Sequence, residues 1–333
     1  MNKILTIVVP SYNTQEHIDN CLPTIIDESY IDDIEILLIN DGSTDDTQKI
    51  LERYESKYPN SIRVINKKNG GHGSVINRGI QEATGKYFRV IDGDDPVVTG
   101  NLRILIEKLK KEESDLVYSS FYEEYVESGK RKLCFDHDLI EGKKYKFDEV
   151  YNRMGSLPLH AINYKTSILK DNNIRVQENC FYEDKEYMLY PIPFIEIVSY
   201  YRIPVYVYRI GVPGQSISVE KVIKNRKMLE TITHNLCVFY EDVSKDISIE
   251  KREYLSDAIC DVIKNMYGMF LKLPYGIKSK QLIRSFNKEC KRWSPQLHQE
   301  MKSPVIKMLH SNSLILYTAA YCGFKIKRKQ RGF

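Results

Sequence analysis

The first 120 residues alternate between two patterns of apolar spacing. Short runs rich in β-branched residues at Leu5–Val9, Ile34–Ile39, Ile62–Ile65, Tyr87–Ile91 and Leu116–Ser119 predict strands. Between them, residues 15–28, 45–57, 74–83 and 100–112 repeat apolar positions at helical spacing. The strand runs are nearly all apolar, as expected where helices cover both sides of a sheet. The pattern therefore predicts an α/β fold, a doubly wound and mostly parallel sheet with helices on both faces. From 121 to 220 the pattern is mixed and aromatic, with one more strand at Ile203–Tyr208 and a Gly/Pro loop after it. Beyond 221 the chain turns helical, with predicted helices at 222–242, 250–272, 278–291 and 304–322. Two regions follow, 1–220 and 221–333.

Composition changes this picture in three ways. The seven cysteines are scattered without a C-x-x-C pair, which predicts reduced thiols rather than disulfides or a zinc site. The apolar run after Lys3 lasts about six residues before Pro10, so it reads as a first strand and not a signal peptide, and a cytoplasmic protein is expected. The net charge of +4 is divided: 221–333 holds 22 Lys and Arg against 10 acids, whereas 1–220 holds 27 against 35. An acidic front that binds an anionic nucleotide needs a cation to mediate, and a basic rear suits an anionic membrane surface.

In such sheets ligands bind beyond the C-terminal ends of the strands. Three of those ends carry polar residues: Pro10-Ser11-Tyr12-Asn13, Asn40-Asp41-Gly42-Ser43 and Asp92-Gly93-Asp94-Asp95. Three carboxylates within four residues repel one another unless a cation sits between them, and hard oxygen ligands select Mg²⁺ or Mn²⁺. The competing reading is a turn, which needs only one Asp. Asp41 could accept hydrogen bonds from a base or ribose and Gly42 could admit the ligand closely. Equally, Ser43 or Thr44 could cap a helix. Asn69-Gly70-Gly71-His72-Gly73 could present backbone N–H groups to a phosphate, with Arg78 pairing to it, although it lacks a P-loop ending. Glu183-Asp184, beside Tyr182 and Tyr187, is either a desolvated base or a solvated helix start. The seven histidines lack metal-ligand spacing, and His72 stands apart only by its place among glycines.

Together these residues resemble the family 2 glycosyltransferases of GT-A fold. The motifs are Val8-Val9-Pro10-Ser11-Tyr12-Asn13, Asn40 to Asp45, Asn77-Arg78-Gly79, Asp92-Gly93-Asp94-Asp95 and Glu183-Asp184. They stand in family order over roughly residues 3–220. The resemblance implies an inverting transfer from a nucleotide-sugar donor, usually a UDP-sugar, to a hydroxyl of a glycan or lipid-linked acceptor. It implies that Tyr12 and Asp41 hold the base with Pro10, Asn13, Gly42, Asn69 and Arg78 around the nucleotide. Asp92 would meet the ribose or sugar, and Asp94 or Asp95, with Asp92, the Mn²⁺ or Mg²⁺ ion. Asp184 would be the general base beside Glu183, and Arg209, Gln215, Ser216 and Ser218 a loop over the donor. The Gln-x-x-Arg-Trp motif of processive synthases is absent, which favours transfer of one sugar or short-chain extension. The rival expectations are a sugar nucleotidyltransferase, which would carry a Gly-rich loop after the first strand, and a non-catalytic nucleotide-sugar-binding scaffold.

From 262 to 333 there are 15 Lys and Arg and two acids, behind an apolar run, 314–324, too short to span a bilayer. A peripheral anchor on an anionic leaflet, a packed helix with a solvated tail and a homo-oligomer contact are the three readings of this segment. No nucleic-acid-binding motif accompanies it.

Overall fold

The computed structural model describes residues 3–135, 138–211, 224–301, 303–311 and 313–330. The chain divides into two compact units, Met1–Pro213 and Gly214–Phe333.

The first unit is built on one nine-stranded sheet. Strands β1 (Leu5–Ser11), β2 (Ile34–Asn40), β3 (Ile62–Asn66) and β4 (Tyr87–Val90) are mutually parallel in the order β3-β2-β1-β4. Every residue of β2 is buried, Glu35 and Asn40 included, as a mostly apolar strand between two helical layers requires. Helices α1 (Ile18–Ile25), α2 (Thr47–Lys57), α3 (His72–Glu82) and α4 (Thr99–Lys111) make the crossovers. The register sets Ser11 opposite Asn40 and Asn40 opposite Asn66, so the three polar strand ends share one rim.

Past β4 the sheet changes sense. β5 (Leu116–Tyr125) is extended by β6 (Lys130–Cys134). β7 (Lys144–Lys146), α5 (Phe147–Met154), β8 (Ile162–Lys165), α6 (Thr166–Asp171), α7 (Asp184–Leu189) and β9 (Ile197–Ile210) complete the unit. β8 enters antiparallel between β4 and β5, and β9 runs parallel to β5. The pairing is irregular between Ser119 and Phe121, where Pro204 of β9 has no N–H to give. There the segment after Asp95 takes over: Val98 N donates to Val205 O (2.8 Å) and Val207 N to Pro96 O (3.1 Å). This irregularity brings the acidic rim against the second half of β9.

The second unit is helical: α8 (Arg226–Val243), α9 (Ile249–Phe270), α10 (Ile277–Trp293), α11 (Pro295–Glu300), α12 (Pro304–His310) and α13 (Leu314–Gln330). Leu236, Leu255, Ile263, Met266, Ile283, Phe286 and Leu297 fill its core. The helix predicted over 304–322 is two helices, because Ser313 Oγ accepts Leu316 N (3.3 Å) and begins a new one. All seven cysteines are free. Among the described residues no helix is long and apolar enough to cross a membrane.

Candidate active site

His72 is the residue around which the rim is assembled. Its Nδ1 lies 2.7 Å from Glu183 Oε1 and its Nε2 3.2 Å from Asp92 Oδ1. The ring position is fixed because α3 begins at His72, at the rim end of its strand crossover. Gly73 lets α3 approach the later segment: a Cβ there would stand 2.1 Å from Gln177 O and 3.1 Å from Glu183 Cγ. Burial alone would lower the imidazole pKa, but hydrogen bonds to Asp92 and Glu183 raise it well above the ordinary value. The ring is therefore an imidazolium clamped between two carboxylates.

The acidic cluster is divided in character. Asp92 is held below the usual carboxylate range: burial opposes this, and hydrogen bonds from His72 and Tyr206 overcome it. Tyr206 Oη reaches both Asp92 Oδ2 (3.1 Å) and Asp95 Oδ2 (2.8 Å), while Arg209 N donates to Asp95 Oδ1 (3.3 Å). Burial and the charge of Asp92 push Asp95 up to about 7. Asp94 is exposed and is raised for the same two reasons. Gly93 lies so close under the first strand that a Cβ would stand 2.8 Å from Pro10 O.

No three His, Cys, Asp or Glu side chains converge as a metal cage among the described residues. The donor set instead fits an ion that takes one or two carboxylates and completes its shell with phosphate oxygens and water, as Mg²⁺ and Mn²⁺ do. The repulsion that raises Asp94 and Asp95 is what such a cation would relieve.

Asp41 sits beside this group and organises the glycine loop. Its Oδ1 accepts Lys67 Nζ (2.5 Å) and Gly70 N (3.0 Å), and its Oδ2 accepts Gly71 N (2.8 Å). Asp41 itself is buried. Asn69 Nδ2 donates to Asp41 O (2.9 Å), and Gly42, at φ +75°, is so near Asn69 N that a Cβ would stand 2.9 Å away. Ser43 and Thr44 do not cap α2, which starts at Thr47. Both tie to Asn13, through Asn13 N to Ser43 Oγ (3.0 Å) and Thr44 N to Asn13 Oδ1 (2.9 Å). That leaves Tyr12 half exposed beside Pro10 on the rim.

Glu183 and Asp184 separate in role. Glu183 is buried, its Oε2 without a hydrogen-bond partner among the described residues, while Asp184 is part-exposed at the start of α7 with Lys185 Nζ at 3.1 Å. The Tyr208 hydroxyl is raised by burial and then by Asp95, Asp92, Asp94 and Asp184, so both acidic groups bear on one point. His160 stacks on Tyr206 (5.0 Å) and Tyr208 (5.1 Å), and burial drives its pKa down to about 4. Beneath it, fully buried Arg89 donates to His160 O (2.5 Å) and Asn163 Oδ1 (3.0 Å).

The structure does not bring Arg78 to this group. It lies six residues into α3, about 9 Å along the axis from His72, and pairs with Glu82 (2.8 Å), which also holds Arg63 near the start of β3. Arg209 is at the cluster through its backbone, whereas Gln215, Ser216 and Ser218 lie outside the described residues. Tyr206, Tyr208, Lys67 and His160 were not foreseen. Tyr206 and Tyr208 had a signal, since residues two apart on a strand share a face. Lys67 follows a strand end, and His160 had none.

A family model described as Glycosyl transferase family 2 matches residues 6–170. The chain is 30% identical over 292 residues to a cholesterol galactosyltransferase of Borreliella burgdorferi, covering 84% of this chain and 75% of that one. It is 37% identical over 124 residues to the uncharacterized glycosyltransferase EpsJ of Bacillus subtilis, covering 37% of this chain and 36% of that one. The putative glycosyltransferase EpsH of the same organism is 28% identical over 221 residues, covering 62% and 60%. The match thus spans between about a third and three fifths of those two Bacillus relatives. Among solved structures, S. aureus TarS 1-349 in complex with UDP-GlcNAc superposes with a TM-score of 0.67 over 99% of this chain and 92% of that one. At 16% identity this is a likeness of fold.

Proposed function

The chain belongs to the family 2 glycosyltransferases, and from that premise we propose that it moves one sugar from a nucleotide diphosphate donor to a hydroxyl of a glycan or lipid-linked saccharide. The observation that carries the reading is the His72 bridge, which ties Asp92 of the acidic cluster to Glu183 of the acid pair. Leaving-group stabilisation then falls to one end of this hydrogen-bonded group, and proton removal to Asp184, the chain neighbour of its other end. A uridine nucleotide is favoured by the fold shared with TarS, which was crystallised with UDP-GlcNAc. The acceptor class, a cell-envelope polysaccharide on the cytoplasmic face, is part of the same proposal.

In this reading Tyr12, Asp41 and the main chain at Pro10 and Gly42 seat the base, and Asp92 orients the ribose or sugar. Asn13 and Asn69 act one step back, by shaping the two loops. Asp94, the exposed member of the cluster, and Asp92 would hold Mn²⁺ or Mg²⁺, which supplies charge neutralisation of the departing diphosphate. Asp95, buried with its oxygens accepting from Tyr206 and Arg209 N, is the other candidate ligand. Arg209 leads into the loop assigned to the donor side.

Asp184 takes the acceptor proton. It is part-exposed, whereas Glu183 is buried and bound to His72, so only Asp184 can meet a hydroxyl arriving from solvent. Attack from the face opposite the nucleotide inverts the anomeric carbon, with no carboxylate nucleophile beneath the sugar. Asp184→Asn should lower transfer by roughly 10²–10⁴ and leave calorimetric binding of the nucleotide within about threefold. Transfer retained at the wild-type rate would remove Asp184 as the base.

A further inference from the structure

The helical unit carries an apolar face that a solvated surface does not explain. On α13, Ile315 is 80% and Leu316 39% exposed. Ala319, Cys322 and Gly323 follow on the exposed side at helical spacing, and no charged residue occurs from 312 to 324. A solvent-facing helix ordinarily carries charges there. The start of α10 joins this face: Tyr275 Oη is 2.6 Å from Thr318 Oγ1, and the Tyr275 ring stacks on Tyr317 at 5.5 Å. Tyr275 is 48% exposed and its neighbour Ile277 74%.

Charge selects the occupant. Lys278 is exposed next to Ile277, and the sequence from 325 onward carries Lys325, Lys327, Arg328, Lys329 and Arg331 without an acid. Exposed apolar side chains beside Tyr275 and Lys278, in a chain whose sequence turns basic from 325 onward, match the boundary between the acyl chains and anionic headgroups of a bilayer. A second copy of the chain on this face would bring two exposed Lys278 side chains toward one another, which opposes self-association.

We propose that the face formed by Tyr275, Ile277, Ile315 and Leu316 lies in the interface of an anionic membrane, with the basic end of the chain on its headgroups. Insertion is shallow, since α13 is peripheral and does not span. The surface does not depend on which sugar is moved. It would hold the enzyme where a lipid-linked acceptor is presented.

The test is sedimentation of the full chain with vesicles of phosphatidylcholine, alone or mixed with phosphatidylglycerol. The expected result is binding to the mixed vesicles only. Ile277→Ser with Ile315→Ser should weaken it by roughly tenfold or more, with donor hydrolysis and the circular dichroism spectrum unchanged. Absence of binding by the wild type, or equal binding by the double variant, overturns the proposal; the latter would mean that charge alone attracts the chain. So would concentration-dependent dimerisation abolished by the same substitutions without vesicle binding. Vesicle binding with no donor turnover would count against the transferase reading and leave this surface standing.

Discussion

His72 Nδ1 and Glu183 Oε1 stand 2.7 Å apart although 111 residues separate them in the chain. The contact joins the first turn of α3 to the entry of α7 and makes one site of two distant motifs. His72→Ala leaves a buried carboxylate without its donor, at a cost of roughly 1–3 kcal/mol. Urea unfolding should show that loss, and donor turnover should fall with it. Unchanged stability would mean that Glu183 is not held by His72.

Gly73→Ala should disturb the same junction by another route. The added methyl meets the backbone carbonyl of Gln177 at 2.1 Å, and a backbone atom cannot swing aside as a long side chain can. The segment carrying Glu183 must move away from α3, at about 1–3 kcal/mol. A thermal midpoint and nucleotide affinity equal to wild type would contradict this close approach.

The pH dependence of the metal-free protein has a definite sign. Asp95, raised by burial and by Asp92 to about 7, keeps in the fold a proton that the unfolded chain releases near pH 4. Its contribution is complete below the ordinary carboxylate range and is lost as pH rises through about 7. His72, raised by its two carboxylates against the opposing effect of burial, acts in the same sense: its stability is present below about 6.5 and lost as pH climbs through its folded value. His160, held neutral by burial with its pKa at about 4, opposes them up to about pH 6.5, so in chelator the thermal midpoint should decline from about pH 6.5 to about pH 8. A midpoint that rises over that interval would contradict the assignment of both shifts.

Arg89 supports the site from below. It is fully buried with no carboxylate partner among the described residues, and burial lowers its pKa to about 10. Its two hydrogen bonds hold the carbonyl of His160 and the side chain of Asn163. Arg89→Met removes both donors and should cost roughly 1–3 kcal/mol. A melting curve that matches wild type would show that the two acceptors find other donors.

The strands and crossovers of the first sheet half were legible because their apolar periodicity is strict and each ends in a polar cluster. Asp92, Asp41 and Glu183 were readable as types, but their partners were not, since Lys67, His72 and Tyr206 reach them through tertiary contacts. β8 escaped notice because four residues are too few to establish a period. Its insertion antiparallel between β4 and β5 is what delivers His160. For Arg78 the motif gives spacing along the chain, whereas its guanidinium in the fold pairs with Glu82 one helical turn on.

Release of nucleoside diphosphate from a panel of nucleotide sugars, with and without Mn²⁺, tests the central claim most directly. The account predicts that one donor, a UDP-sugar, yields its nucleoside diphosphate only when the cation is present, and that Asp94→Asn abolishes that release. Pyrophosphate exchange in its place, or no turnover of any nucleotide sugar, would contradict it.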